Sequence, residues 1–250
     1  LLLGDKQSSL LYLDKGRALA TKGSNRSLIA LGLYHKSEYY EQINDFAAAM
    51  DCLNRSLAIY KDLDEEKQIA TCYYALGLIY HNLANYEKSL DYYFKALKIR
   101  ESLSDLRGIS DTFRAIGNVY LRTAKLEKSN EYFNKSLAID QTNDDKEGVM
   151  VSLLNLGVSY QKNRAFNVAI NYYNMALVKA KEMKSKYVEA ILLGNIGSTM
   201  RDQAKYGESL EYLFRALEIK KDLKKWASAA HTCNDISETY LGMNNPEKSK

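Results

Sequence analysis

The sequence predicts an all-α fold, a right-handed α-α superhelix of about five and a half helix-turn-helix units. Three observations carry that expectation. One proline and thirteen glycines stand in 250 residues, and proline costs about 3 kcal/mol inside a helix, so almost continuous helix is permitted. Gly77, Gly117, Gly157 and Gly197 recur every 40 residues without an insertion. Within each unit the apolar spacing is helical, Tyr73, Leu76 and Tyr80 sharing one face at three- and four-residue steps.

The elements follow in chain order. Residues 5–22 read as one lone helix, a degenerate repeat or cap within an N-terminal segment 1–29. Units then occupy 30–69, 70–109, 110–149, 150–189 and 190–229, with an incomplete sixth at 230–250. In the second unit the spacing predicts helix A over 68–82 and helix B over 86–103, repeated at every further 40 residues. Asn82 to Tyr86 is the turn between them. At the far end Asp235 to Tyr240 completes a helix A. Pro246 suits the first turn of a following helix B. A solenoid normally finishes with a polar cap, and no such cap is legible, so the parent chain is expected to continue beyond Lys250.

Other columns hold the same register. Leu53, Tyr93, Phe133, Tyr173 and Leu213 form one; Ala49, Ser89, Ser129, Ala169 and Ser209 form another; Ser56, Ala96, Ser136, Ala176 and Ala216 a third. The small residues let paired helices approach while the aromatic column fills the groove between them. Tyrosine pairs such as Tyr73-Tyr74, Tyr92-Tyr93 and Tyr172-Tyr173 place one ring in the core and its neighbour near the core edge.

These residues resemble the tetratricopeptide repeat. Its helix-A signature stands here as Tyr73, Leu76-Gly77 and Tyr80, and its helix-B signature as Ala169, Tyr173 and Ala176. The likeness covers residues 30–250. Two departures matter: the period is 40 rather than the usual 34, and the helix-ending proline is replaced by Lys61, Glu101, Gln141, Lys181 and Lys221. Without that stop helix B is expected to run on. Long repeats of this kind are similar to those of Pins-type adaptors, kinesin light chains, Rap-type bacterial regulators and the sensory arms of bacterial signalling proteins.

Composition excludes several classes. With 46% hydrophobic and 26% charged residues the chain can bury a core and is not disordered. No run approaches the roughly 20 apolar residues of a membrane span. Cys52, Cys72 and Cys233 are too few and of the wrong parity for a disulfide framework, and small buried hydrophobes fit them better. A reducing, cytoplasmic setting fits, with a periplasmic one open if the parent chain has a membrane span. The net charge of +4 is spread thinly, so no nucleic-acid stripe is expected.

No catalytic constellation emerges. His35, His81 and His231 fall in three repeats at three different helix positions, so no pair forms a metal face. The repeated glycines open no phosphate loop, since no strand precedes them. Asp144-Asp145 and Asp64-Glu65-Glu66 sit between repeats, where helix capping accounts for them. No enzyme activity, metal or cofactor is expected of this segment.

The resemblance implies a concave surface lined by helix-A residues between the motif positions. Tyr34, His35 and Glu38 stand there first, followed by Tyr74 and Leu78, then Arg114, Asn118 and Arg122. Asn155 and Gln161 follow, then Asn195, Ser198 and Arg201, and last Asn234, Asp235 and Glu238. Asn155 and Asn195 hold the same place in successive repeats. A carboxamide offers a donor and an acceptor in one plane, matching both groups of an extended peptide unit. The expected partner-binding residues are therefore Tyr74, Arg114, Asn118, Asn155, Asn195 and Arg201. A two-carboxylate clamp of the chaperone-binding kind is incomplete, because Ile191 and Asn195 stand where it needs basic residues.

The sequence thus reads as a protein-interaction module that holds a peptide or protein segment in its groove, as the regulatory or sensor arm of a larger bacterial signalling protein. The alternative is a passive assembly scaffold acting through convex or edge surfaces. Self-association through the open last repeat is a further expectation, since it leaves apolar surface exposed around Tyr240.

Overall fold

A computed structural model describes residues 25–244. The expected helices at residues 5–22 and after Pro246 lie outside the described residues. The described residues form eleven helices and no strand: α1 (Arg26–Gln42), α2 (Phe46–Asp62), α3 (Glu66–Asn82), α4 (Tyr86–Ser102), α5 (Leu106–Arg122), α6 (Leu126–Thr142), α7 (Lys146–Lys162), α8 (Phe166–Glu182), α9 (Lys186–Asp202), α10 (Tyr206–Asp222) and α11 (Trp226–Asn244). The class is all-α, a tetratricopeptide-like stack of helix pairs.

Helix A is as long as helix B. Through α10 every helix has 17 residues, and three-residue turns separate them, so the 40-residue period is twice 20. The added length therefore falls on both helices, not on helix B alone. Each turn ends its helix with one residue in the left-handed region: Asn44, Asp64, Ala84, Ser104, Ala124, Asp144, Arg164, Lys184, Ala204 and Lys224. Paired backbone bonds close each turn. Asp45 N donates to Tyr40 O at 2.9 Å and Asn44 N to Glu41 O at 3.0 Å, the six-to-one and five-to-two pattern of a helix C-terminus. At the opposite ends Asn25, Asp45, Asn85 and Asp145 cap the helix that follows. Asp145 is thus a cap, as its place between repeats implied.

The chain divides into two compact units, with the division at Val119 and Tyr120 inside the last turn of α5. In the first unit α1 packs on α2, α2 on α3 and α3 on α4. In the second each helix from α6 to α11 packs on the next. The core is built from the register columns: Leu53, Tyr93, Phe133, Tyr173 and Leu213 are all buried, as are the small residues opposite them. Ser89 Oγ donates to Gly77 O at 2.8 Å, so the small polar column also satisfies itself across the helix pair.

The edge tyrosines stack. Tyr80 lies on Tyr92 with ring centroids 5.4 Å apart, and Tyr160 on Tyr172 at 5.3 Å, both nearly parallel. Lysines flank the first stack: Lys88 Nζ is 5.2 Å from the Tyr80 ring and Lys95 Nζ 5.0 Å from Tyr92. The cysteines divide differently from expectation. Cys52 and Cys72 are buried, but Cys233 is exposed because its place on α11 faces away from the packed pair. No described helix is long and apolar enough to cross a membrane.

Candidate ligand-binding face

In the first unit the residues expected to line a groove stand on α1, α3 and α5. Tyr74 is half-buried on α3. Its ring lies 5.5 Å from that of Tyr93, and the Arg100 guanidinium sits 4.7 Å from its centroid. Burial raises the Tyr74 hydroxyl pKa, Asp111 adds to the rise, and Arg100 and Arg114 oppose it. Tyr74 is therefore as much a lid over Arg100 as a groove residue. Arg100 reaches beneath it from α4, donating to Gly108 O at 2.8 Å and to Thr112 Oγ1 at 2.6 Å.

Arg114 is engaged within its own helix. Its guanidinium pairs with Asp111 and donates to Ser110 Oγ at 3.0 Å. Asn118, one turn on, is half-buried, and its carboxamide makes no hydrogen bond to another described residue. Near the α1–α2 turn an open cavity of about 700 Å³ is lined by Glu38, Glu41, Gln42, Asn44, Phe46 and Asn82. Burial, with the Glu38 charge beside it, pushes the Glu41 carboxyl up to about 7.

In the second unit the residues expected to line a groove stand on α7, α9 and α11. Asn155 and Asn195 are half-buried and make no side-chain hydrogen bond to another described residue. Both carboxamides are thus held in place by their helices with donors and acceptor unspent. Arg201 is spent. Its Nη1 is 3.1 Å from Asp235 Oδ1 and 2.9 Å from Glu238 Oε2, tying α9 to α11. Asp235 stands one repeat beyond Asn195 in the same place, so in the last repeat the chain itself occupies that position. Gln161 bridges as well, accepting from Tyr173 Oη at 2.9 Å and donating to Asp202 at 3.0 Å.

The structure therefore sorts the six expected residues. Asn118, Asn155 and Asn195 offer unspent carboxamides; Arg114 and Arg201 are neutralised by acids on their own face; Tyr74 packs. The basic character read from the sequence is locally offset. Sequence reasoning passed over Arg100 and Lys220, buried cations on helix B. The signal was present: residues 60, 100, 140, 180 and 220 form a register column in which Arg100, Asp140 and Lys220 interrupt Tyr60 and Ala180. Among the described residues no group of three His, Cys, Asp or Glu side chains is placed to hold a metal ion.

Comparison with known proteins follows the same lines. Family profiles for the tetratricopeptide repeat match residues 30–63 and 68–142. No curated protein matches the chain by sequence. Among solved structures, BtubC (BKLC) from P. vanneervenii superposes with a TM-score of 0.76 at 16% identity, over 90% of this chain and 93% of its own. A STAND signal-transduction ATPase with a tetratricopeptide-repeat sensor, from Pyrococcus horikoshii, gives 0.77 at 20% identity, over 93% of this chain. This chain spans 35% of that protein's length. The Rap conjugation gene regulator of plasmid pLS20, solved with the Phr* peptide, gives 0.70 at 14% identity, over 90% of this chain and 66% of its own. At these identities the likeness is one of fold.

Proposed function

This chain is built of tetratricopeptide repeats, a protein-interaction fold, and on that premise we propose that it binds an extended peptide or protein segment along its helix-A face. The observation that carries the reading is the pair of unspent carboxamides at Asn155 and Asn195. Asparagine costs a helix interior several tenths of a kcal/mol relative to alanine. Neither residue recovers that cost through a hydrogen bond within the described chain. A ligand backbone running across α7 and α9 would supply the missing partners, one donor and one acceptor per residue.

Two fold relatives support a regulatory setting: the pLS20 Rap regulator was solved with a peptide, and the STAND protein's repeats are described as a sensor. In that setting this segment is the sensor arm of a larger bacterial signalling protein. Repeats that pack only on their neighbours change pitch when a ligand bridges them, and that change is the signal. Selection from a random-sequence peptide library tests the reading. Wild type should enrich a sequence family that an Asn118→Ala/Asn155→Ala/Asn195→Ala variant of equal helicity does not retain.

A second reading, assembly through the outer surface, draws on α8. There Val168, Met175 and Val178 are exposed, where α4 carries Lys88, Lys95 and Lys98. Exposed apolar residues spaced along one helix stripe are a contact surface for another protein. Val168→Lys/Met175→Lys would abolish such contacts and leave peptide selection intact. On α11 the exposed Tyr240, Leu241 and Met243 serve the same reading, with a second copy as partner.

A further inference from the structure

Gly194 has no structural reason to be glycine. It lies inside α9 and its φ is not positive. A Cβ built on it meets one heavy atom within 4 Å, Lys220 Nζ at 3.9 Å. Gly77 differs, for there a Cβ would strike Tyr93. Glycine in a helix interior costs about 1 kcal/mol relative to alanine, so α9 gives up stability at Gly194 for an empty side-chain space. The equivalent place in the other repeats is filled by Tyr34, Tyr74, Arg114, Leu154 and Asn234.

That space is floored by a cation with spare donors. Lys220 is 7% exposed, yet its ammonium makes a single hydrogen bond to a described residue, to Thr232 Oγ1 at 2.8 Å. An ammonium has three N–H groups to place. In the second repeat the matching residues are complete: Arg100 donates to Gly108 O and Thr112 Oγ1 and is covered by the Tyr74 ring. At Lys220 the cover is missing and one acceptor remains. Burial lowers the Lys220 pKa, with Asp235 opposing the shift. Asp235 itself lies 3.1 Å from Arg201 Nη1, so its charge is shared.

We propose that the notch at Gly194 receives a carboxylate of the bound segment, which accepts hydrogen bonds from the Lys220 ammonium. The inference rests on the groove reading and names its side-chain preference: an acidic residue, or a chain terminus, one notch away from the Asn195 carboxamide. A paired, buried ammonium–carboxylate contact gains from charge assistance what the isolated ammonium lacks.

Three small probes distinguish the sources: N-acetylglutamate N-methylamide for an acidic side chain, N-acetylalanine for a chain terminus, and N-acetylglutamine N-methylamide as the neutral isostere. Each is titrated into the full chain while the amide signals of Gly194 and Asn195 are followed by NMR. A carboxylate probe should shift them saturably and the isostere should not. Lys220→Met should weaken the effect at least about tenfold, and Gly194→Leu, which places a side chain in the notch against the ammonium while leaving its charge in the protein, should do the same. Equal shifts from glutamine and glutamate probes, or shifts that survive Gly194→Leu, overturn the proposal. Selected peptides that depend on Asn155 and Asn195 but not on Lys220 would sink the notch and leave the groove reading standing.

Discussion

The backbone of Gly77 lies flat against the ring of Tyr93: a Cβ at Gly77 would stand 2.5 Å from Cε1 and 2.6 Å from Cδ1. Helix pairs within each unit close on such a contact, a glycine on helix A facing the large residue of helix B. Gly157 meets Tyr173 in the same way, and Gly197 meets Leu213.

Gly77→Ala should therefore destabilise the chain by about 1–3 kcal/mol, the ordinary cost of overpacking, despite alanine's better helix propensity. Gly32→Ala gives the matched control. A Cβ there meets nothing within 4 Å, so that variant should gain up to about 1 kcal/mol. Urea titration followed by circular dichroism separates the two signs.

The ten left-handed turn residues predict a stabilising series. Ala84, Ala124 and Ala204 sit at φ near 56°, 56° and 60°, where a Cβ costs roughly 1–2 kcal/mol per residue. Replacing any of them by glycine should raise the urea midpoint, part of the gain being returned through the freer unfolded chain. Three such changes in separate turns should add.

How far the sequence foretold this structure depends on what each residue answers to. The columns answer to packing between neighbours 12 to 20 residues apart, and packing at fixed spacing leaves a period in the sequence. So the helix pairs and the buried Tyr93 and Tyr173 were legible. Arg114 and Arg201 answer to partners with no period: Asp111 and Ser110 for one, Asp235 and Glu238 for the other. Charge at a groove position says nothing about whether it is already satisfied. Helix length is hidden for a similar reason: six of the ten left-handed turn residues are alanine, lysine or arginine and only Asn44 is asparagine, so their identity carries no stop signal.

Arg201 offers a direct test of that local neutralisation. Its pairing with Asp235 is 20% and 19% exposed on the two sides, between surface and core. A double-mutant cycle with Arg201→Ala and Asp235→Ala should give a coupling of about 1 kcal/mol in urea unfolding. Raising salt should weaken it only modestly, because the pair is mostly shielded. A coupling near zero would return Arg201 to the list of cations available to a ligand.

Glu41 sets the pH dependence of the first unit. Its folded pKa of about 7 lies above the ordinary 4.5, so between those values the folded chain holds a proton that the unfolded chain releases. Stability then falls as pH rises through that window. Glu41→Gln keeps the buried group neutral at every pH. Thermal melts should therefore show wild type losing stability from about pH 5 to about pH 8 while the variant stays flatter and is the more stable of the two at the alkaline end.

The proposed peptide binding requires the carboxamides of Asn155 and Asn195 to hold the backbone of an extended ligand. Fluorescence anisotropy with a peptide selected on the wild-type chain measures it most directly, comparing wild type with Asn155→Ala/Asn195→Ala. Each carboxamide removed should cost about 1 kcal/mol, so the double variant should bind about tenfold or more weakly, with unchanged helicity and urea midpoint. Equal affinity for both proteins would contradict the account and leave the outer surface of α8 as the working face.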